Sequence, residues 1–218
     1  MKLALFDLDK TLIDGDSEEL WVEFLIAEGE LAPSVRGEVQ RFGEDYVAGR
    51  MDFVAWQKFM LAPQARIAPE YLLQLRDRYT RASLVPIIRD WMQPRLDDHR
   101  AQGHQTVVIT ATNRWIVEPV VAALGADDLL ATEPEMQAGR FTGDVAGEPC
   151  FQGGKLVHLR RWLSKRGVDA PLESWAYSDS YNDLPLLEYA DHAVAVTPDA
   201  RLAATARERN WEILTGPS

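Results

Sequence analysis

The 218-residue sequence has one cysteine, relatively few basic residues and no long apolar run. A lone Cys150 can form neither an internal disulfide nor a cysteine-based zinc site, so we predict a reducing, cytoplasmic location. The 23 lysines and arginines are outnumbered by 34 acidic residues, which gives a net charge of -11. Because a protein that coats DNA or RNA needs clustered basic residues, we expect no nucleic-acid partner.

Apolar segments are short throughout the sequence. The N-terminal one stops at Asp7, before it reaches the length of a secretion signal, and none approaches the ~18 uncharged residues of a membrane span. With 46% hydrophobic and 26% charged residues, the composition is that of a globular protein. We therefore expect no membrane partner, and the oligomeric state stays open.

Short apolar or β-branched segments predict buried strands of a mostly parallel sheet. They lie at residues 3–6, 106–110, 175–178 and 193–196, with a weaker one at 129–131. Helical patterns at 87–102, 116–124, 155–165 and 184–189 alternate with them, Pro94 and Pro119 being expected to kink or interrupt their helices. The alternation predicts an α/β, Rossmann-like core, and residues 139–143 predict a hairpin.

Residues 17–83 break this alternation. They carry apolar side chains at helical spacing, as at Leu20, Trp21 and Phe24, and contain no clear strand. A helical stretch between the first two strands of an α/β sheet is best interpreted as an inserted cap. We predict a core formed by residues 1–16 and 84–218 and a cap formed by residues 17–83.

Four acidic residues follow two of the predicted strands. Asp7 and Asp9 end the first strand, and Asp179 and Asp183 follow the strand at 175–178. Because the carboxyl ends of parallel strands meet at one edge of the sheet, these carboxylates should converge where ligands bind. Hard oxygen ligands at this density suit Mg²⁺, so we predict all four as metal ligands.

Two further residues belong to the same edge. Thr110 ends its strand with a hydroxyl group, and Lys155 opens a helix after two glycines, where its ammonium can meet an anion. Carboxylates, a metal ion, a hydroxyl and a lysine together form the kind of site that transfers phosphoryl groups.

These segments resemble the four motifs of the haloacid dehalogenase superfamily. The motifs are Asp7-Leu8-Asp9-Lys10-Thr11, the strand ending in Thr110, Lys155, and Asp179-Ser180-Tyr181-Asn182-Asp183. Their order, with a helical insertion straight after the first, resembles the phosphoserine phosphatase-like subfamily. The resemblance implies a Mg²⁺-dependent phosphatase of small phosphorylated metabolites, as in bacterial phosphoserine and histidinol-phosphate phosphatases.

The resemblance also implies a role for each acid. Asp7 would attack phosphorus and become a phosphoaspartate. Asp9 would protonate the leaving alcohol and then activate water. The backbone carbonyl of Asp9 and the side chains of Asp7 and Asp179 would hold Mg²⁺, and Asp183 would position the metal shell and Lys155.

The remaining implied roles concern the phosphate and the rest of the substrate. Thr110 and Asn182 would bind the phosphoryl group, whose charge Lys155 would offset. Asp16 occupies the position where the subfamily binds a substrate amine, although it could equally be a helix N-cap. Lys58 aligns with a carboxylate-binding arginine, although a surface lysine is the simpler interpretation.

Two aromatic residues widen the choice of substrate. Trp21 and Trp56 could flank a ring, which together with Asp16 favours an amino-alcohol phosphate such as histidinol phosphate, although core packing is the commoner use of tryptophan. A non-hydrolytic phosphate-binding or phospho-accepting regulatory protein is the alternative function. Asp9 argues against that alternative, because a second acid placed to activate water favours turnover.

Overall fold

The structure is a computed structural model and describes residues 1–217. The strands, in chain order, are β1 (Lys2–Phe6), β2 (Gln105–Asn113), β3 (Asp128–Thr132), β4 (Pro134–Gln137), β5 (Arg140–Val145), β6 (Glu173–Ser178), β7 (His192–Val196) and β8 (Glu212–Leu214). Six of them form a parallel sheet in the order β3-β2-β1-β6-β7-β8. The α/β prediction is confirmed, and β8 adds a three-residue strand that was too short to predict.

The central strand β1 is buried on both faces of the sheet. Ala4 and Phe6 belong to one core cluster, and Leu3 and Leu5 belong to the other. A strand covered on both sides needs apolar residues at every position, which is why this segment lacks the polar alternation of a half-exposed strand. Phe6 also stacks on Tyr177 of β6, with ring centroids 4.4 Å apart.

Helices cover the sheet and form the connection from β1 to β2. They are α1 (Ser17–Ala27), α2 (Arg36–Val47), α3 (Phe53–Arg66), α4 (Pro69–Tyr79), α5 (Gln93–Ala101), α6 (Arg114–Leu124), α7 (Gly153–Lys165), α8 (Leu184–Tyr189) and α9 (Ala200–Glu208). We call α1–α4 the helical insertion. Its behaviour as a separate domain with limits at residues 17 and 83 stays a prediction.

Two proline predictions are corrected. The helix predicted over 87–102 begins only at Gln93, and Pro94 lies in its first turn, where the missing N–H has no partner to lose. Pro119 does not interrupt α6. The carbonyl of Trp115, four residues earlier, instead accepts a hydrogen bond from the Arg76 guanidinium at 3.2 Å.

The predicted hairpin is formed by β4 and β5, which pair antiparallel. Its turn contains Ala138 and Gly139, both with positive φ (48° and 76°), as a tight two-residue turn requires. The hairpin packs against α3. In residues 1–217, the helices are all too short or too polar to cross a bilayer.

Candidate active site

The predicted site residues meet at the carboxyl edge of the parallel sheet. Asp7 directly follows β1 and Asp179 directly follows β6. Thr110 is buried in β2, two residues beyond the register partner of Phe6 at the end of β1. Lys155 lies in the first turn of α7. Residues that are far apart in sequence therefore share one small volume.

Lys155 is the cation at the centre of this site. Its Nζ lies 2.7 Å from Oδ1 of Asp7 and 2.6 Å from Oδ2 of Asp183, and its side chain is 2% exposed. Burial alone would lower the pKa of Lys155, but the charges of Asp183 and Asp7 outweigh it and raise that pKa above its ordinary value. The lysine therefore stays charged and fixes the orientation of both carboxylates.

The backbone that carries Lys155 passes close to the preceding loop. A Cβ added at Gly154 would lie 2.0 Å from the carbonyl oxygen of Pro149. No side chain fits at that distance, so only glycine lets the first turn of α7 approach closely enough to bring Lys155 to Asp7.

Asp7 and Asp179 lie on either side of Thr11. The Thr11 hydroxyl is 3.2 Å from Oδ2 of Asp7 and 3.5 Å from Oδ1 of Asp179. Burial raises the pKa of Asp7 to about 6 against the opposing charge of Lys155, and burial together with the charge of Asp7 raises the pKa of Asp179 to about 8. The carboxylates of Asp7 and Asp179 therefore have too little positive charge near them, and a hard divalent cation would supply it.

Asp9 faces a different set of partners. Its Oδ1 accepts a hydrogen bond from the backbone N–H of Ser17 at 2.7 Å, and its Oδ2 accepts one from the Thr112 hydroxyl at 2.8 Å. Thr110 lies 3.5 Å from the same Oδ2. Burial, followed by the charges of Asp16 and Asp7, raises the pKa of Asp9 to about 7, so this carboxyl can hold or release a proton near neutrality.

The four acids predicted as metal ligands are not equivalent. Oδ2 of Asp183 accepts hydrogen bonds from Lys155 and from the Ser178 hydroxyl, the latter at 2.7 Å. The Asp9 carboxylate is turned towards its own donors. The four carboxylates are therefore not arranged equivalently, and their assignment as metal ligands stays a prediction. Within residues 1–217, no three acidic, histidine or cysteine side chains form a complete cation cage.

A cavity of about 520 Å³ opens from these carboxylates towards the helical insertion. Its volume is within the range of small-molecule sites. Phe53 of α3 stacks on Phe151 with centroids 4.5 Å apart, and the hydroxyls of Tyr46 and Ser180 are hydrogen-bonded at 2.9 Å. The insertion and the sheet edge therefore touch across the cavity. The apolar and aromatic lining comprises Val39, Phe42, Tyr46, Val47, Met51, Phe53, Trp56, Ala111 and Phe151.

Both interpretations of Asp16 agree with the geometry. Its Oδ1 caps α1 by accepting from the backbone N–H groups of Glu18 and Glu19, both at 3.1 Å, and the residue also lines the cavity. Lys58 does not line the cavity, because its Nζ is paired with Asp144 of the hairpin at 2.8 Å. The structure therefore places Lys58 beside the hairpin and outside the cavity, and its contact with a substrate stays a prediction.

Asn182 and the two tryptophans also differ in whether they line the cavity. Asn182 is outside the cavity lining, and its Oδ1 accepts from Gln152 at 2.9 Å. Trp56 lines the cavity, whereas Trp21 is fully buried in the core, with Tyr79 at 5.0 Å between ring centroids. The expectation that Trp21 flanks a substrate ring is therefore wrong, because its side chain has no exposed surface.

Sequence analysis missed Glu18, a buried carboxylate in the cavity wall. Trp21, Val22 and Leu25 follow it at helical spacing on the buried face of α1, and this pattern was the available signal. It also missed Thr112, which shares the same face of β2 as Thr110. Two buried histidines, His99 and His104, form a pair with their Nδ1 atoms 2.8 Å apart, and neither residue lines the cavities of the described residues.

Comparisons with known proteins agree with the geometry of the site. The family model described as haloacid dehalogenase-like hydrolase matches residues 4–188. A histidinol-phosphatase of Neisseria meningitidis serogroup C (strain 8013) is 37% identical over 216 residues, covering 97% of each chain. Phosphoserine phosphatase SerB1 of Mycobacterium tuberculosis is 32% identical over 96% of this chain and 69% of its own.

Solved structures share the fold. A protein of unknown function from Bordetella pertussis Tohama I superposes with a TM-score of 0.92 at 34% identity, covering 98% of this chain and 97% of that one. A phosphoserine phosphatase solved as a phospho-aspartyl intermediate analogue superposes with a TM-score of 0.69 at 19% identity, covering 98% and 92%. At that identity the second match supports the fold alone.

Proposed function

Because the chain belongs to the haloacid dehalogenase-like hydrolase family and is a phosphatase, we propose that it hydrolyses a small phosphomonoester through a phosphoaspartate formed on Asp7. The observation that carries this proposal is the pairing of a buried Asp7 with a buried Lys155 at 2.7 Å. The other residues of the site are assigned around that pair.

Asp7 acts as the nucleophile. Lys155 holds one carboxylate oxygen of Asp7 and supplies positive charge that favours the ionised form and offsets charge on the transferring phosphoryl group. Attack on phosphorus forms the Asp7–phosphoryl bond and breaks the bond to the substrate alkoxide. Thr110, at the end of the same edge, is the proposed hydroxyl donor to the phosphoryl oxygens.

Asp9 acts as the acid and then as the base. Its carboxyl group donates a proton to the departing alkoxide and afterwards takes a proton from the water that hydrolyses the phosphoaspartate. A pKa of about 7, set first by burial, suits both steps at neutral pH. The hydrogen bonds from Ser17 and Thr112 hold the carboxyl group in one orientation throughout.

Magnesium is the proposed cofactor. The carboxylates of Asp7 and Asp179, with the backbone carbonyl of Asp9, would hold it, and the excess of buried negative charge at Asp7 and Asp179 supports this assignment. Mg²⁺ held by these residues would supply positive charge to offset that of the phosphate. Asp183 contributes by fixing Lys155.

An amino-alcohol or amino-acid phosphate is the proposed substrate class. Asp16 supports it, because a carboxylate in the cavity wall suits a substrate amine. The relatives named histidinol-phosphatase and phosphoserine phosphatase both fit that class.

The test is Asp7→Asn, assayed with a chromogenic phosphate ester and Mg²⁺. We expect release of phosphate to fall to background while the melting temperature stays near that of the wild type, because Asn retains the shape of the side chain but is a poor nucleophile. Undiminished hydrolysis would refute the role of Asp7. Stable phosphorylation of the wild type without turnover would instead support the regulatory alternative.

A further inference from the structure

The part of the cavity beyond the phosphate-transfer groups is strongly acidic. Four acidic residues from α1 and its N-cap line it, namely Asp16, Glu18, Glu19 and Glu23. Two basic residues, Lys10 and Arg36, line the same region. Among the described residues, acids thus outnumber bases in the region that would receive the organic part of a substrate.

Both of these basic side chains already have acidic partners. The guanidinium of Arg36 forms a two-bond contact with Glu23, at 2.8 and 2.7 Å, and Nζ of Lys10 lies 3.6 Å from Oδ2 of Asp16. A substrate carboxylate would have to compete with an acid for either cation. The cavity wall therefore favours a positively charged group and opposes a negatively charged one.

Glu18 differs from the other three acids because it is 4% exposed and its hydrogen-bond partners are all neutral. Its carboxylate accepts from Nε1 of Trp56, from Nε2 of Gln57 at 2.9 Å, and from Nδ2 of Asn113 at 3.4 Å. These donors come from α3 and from the end of β2, so they fix the carboxylate from two sides. A buried carboxylate without a cationic partner is expensive unless a cation reaches it.

We propose that Glu18 is a specificity-determining residue that selects phosphate monoesters carrying an organic cation and no carboxylate. This proposal rests on the proposed phosphatase function. Trp56 and Phe42, whose rings are 5.3 Å apart, form the aromatic wall beside Glu18 and suit the flat face of a cationic ring or the alkyl groups around an ammonium. The organic cation would supply the charge that the neutral donors of Glu18 lack.

Three phosphate esters form a matched set for the test. Phosphoserine, phosphoethanolamine and histidinol phosphate share the unit phosphate–CH₂–CH–NH₃⁺ and differ only in one substituent, which is a carboxylate, a hydrogen or an imidazolylmethyl group. For the wild-type enzyme with Mg²⁺, we expect kcat/KM to be at least about tenfold lower for phosphoserine than for phosphoethanolamine, since an unpaired carboxylate beside acidic groups loses roughly that much. Preference for phosphoserine would overturn the proposal.

Glu18→Gln then tests the residue itself. It should lower kcat/KM by about tenfold or more for phosphoethanolamine and histidinol phosphate, the two cationic esters without a carboxylate, as expected for the loss of a charge-assisted contact. The kcat/KM for a neutral chromogenic ester should change by less than about twofold. Glu18→Asp, which keeps the charge, should retain more of the preference for cationic over neutral esters than Glu18→Gln does. Glu70→Gln, on the exposed first turn of α4 and outside the cavity, is the control for removing one acid from the helical insertion.

Equal losses on cationic and neutral esters in Glu18→Gln would show that Glu18 only supports the structure, and would overturn its role in specificity. If Glu18→Gln fails to fold, Glu18→Asp decides the matter through the shifted position of its carboxylate: a larger loss of kcat/KM on the cationic esters than on the neutral ester supports the role, and equal losses overturn it. Failure of the proposed function itself is distinguishable, because the wild-type enzyme would then hydrolyse none of the esters, including the neutral one.

Discussion

Replacement of Lys155 by methionine is the sharpest test of the buried charge cluster. Methionine retains much of the side-chain volume but leaves the carboxylates of Asp7 and Asp183 facing each other without a cation. Removing one partner of a buried ion pair costs about 3–5 kcal/mol, which in a chain of this size lowers the melting temperature by roughly 10 °C. Loss of charge stabilisation on the phosphoryl group should also lower kcat about 10²- to 10³-fold.

The loss of stability in Lys155→Met should depend on pH. Lys155 lowers the pKa of Asp7, so without it the pKa of Asp7 rises further above its unfolded value. The folded variant then binds more protons than the unfolded chain over a wider range, and its stability falls as the pH rises through that range. We expect the deficit relative to the wild type to be larger near pH 8 than near pH 5, as measured by urea unfolding at both values.

Lys165→Met is the matched control, because Lys165 lies on the same helix and is exposed. It should leave both kcat and the melting temperature unchanged. A Lys155→Met variant with wild-type kcat, or with the same small deficit at both pH values, would refute the idea that this lysine compensates buried carboxylates.

Three further outcomes are expected. Without metal, the free energy of unfolding should fall as the pH rises from about 5 to about 8. Burial raises the pKa of Asp179 to about 8, so the folded state binds more protons than the unfolded chain over this range. Mg²⁺ should restore more stability at pH 8 than at pH 5, and a flat pH dependence in urea unfolding would contradict this. Thr112→Val should lower kcat about tenfold with little change in KM, because it removes the hydroxyl that orients Asp9. Thr142→Val, on the exposed hairpin, should leave kcat unchanged, and steady-state kinetics on a chromogenic ester measure both variants. Lys58→Ala should leave kcat/KM within about twofold, and a tenfold rise in KM would restore its assignment to the substrate.

The sheet and its catalytic edge could be predicted from the sequence because their physical signals are local. Segments such as 193–196 are apolar at every position, which only a strand covered on both faces requires. Acids placed directly after such strands have one common edge to occupy, so the convergence of Asp7 and Asp179 follows from topology alone.

The different contacts of the individual acidic residues could not be predicted in this way. Whether a carboxylate faces a metal site, a lysine or two hydroxyl groups depends on side-chain orientation, which spacing does not encode. Asp183 is bound to Lys155 and Ser178, a fact that needs α7 and the end of β6 to be in place. The same holds for Lys58, whose partner Asp144 belongs to a hairpin more than eighty residues away.

The position of β1 at the centre of the sheet has a consequence for how the protein is made. This strand is synthesised before both of its neighbours, which begin only at residues 105 and 173. Until then its apolar faces and both of its hydrogen-bonding edges have no native cover, so the nascent chain depends on chaperones or on the helices that emerge next for protection. A product truncated before β6 would leave at least one of these edges unpaired permanently and would be a target for proteolysis.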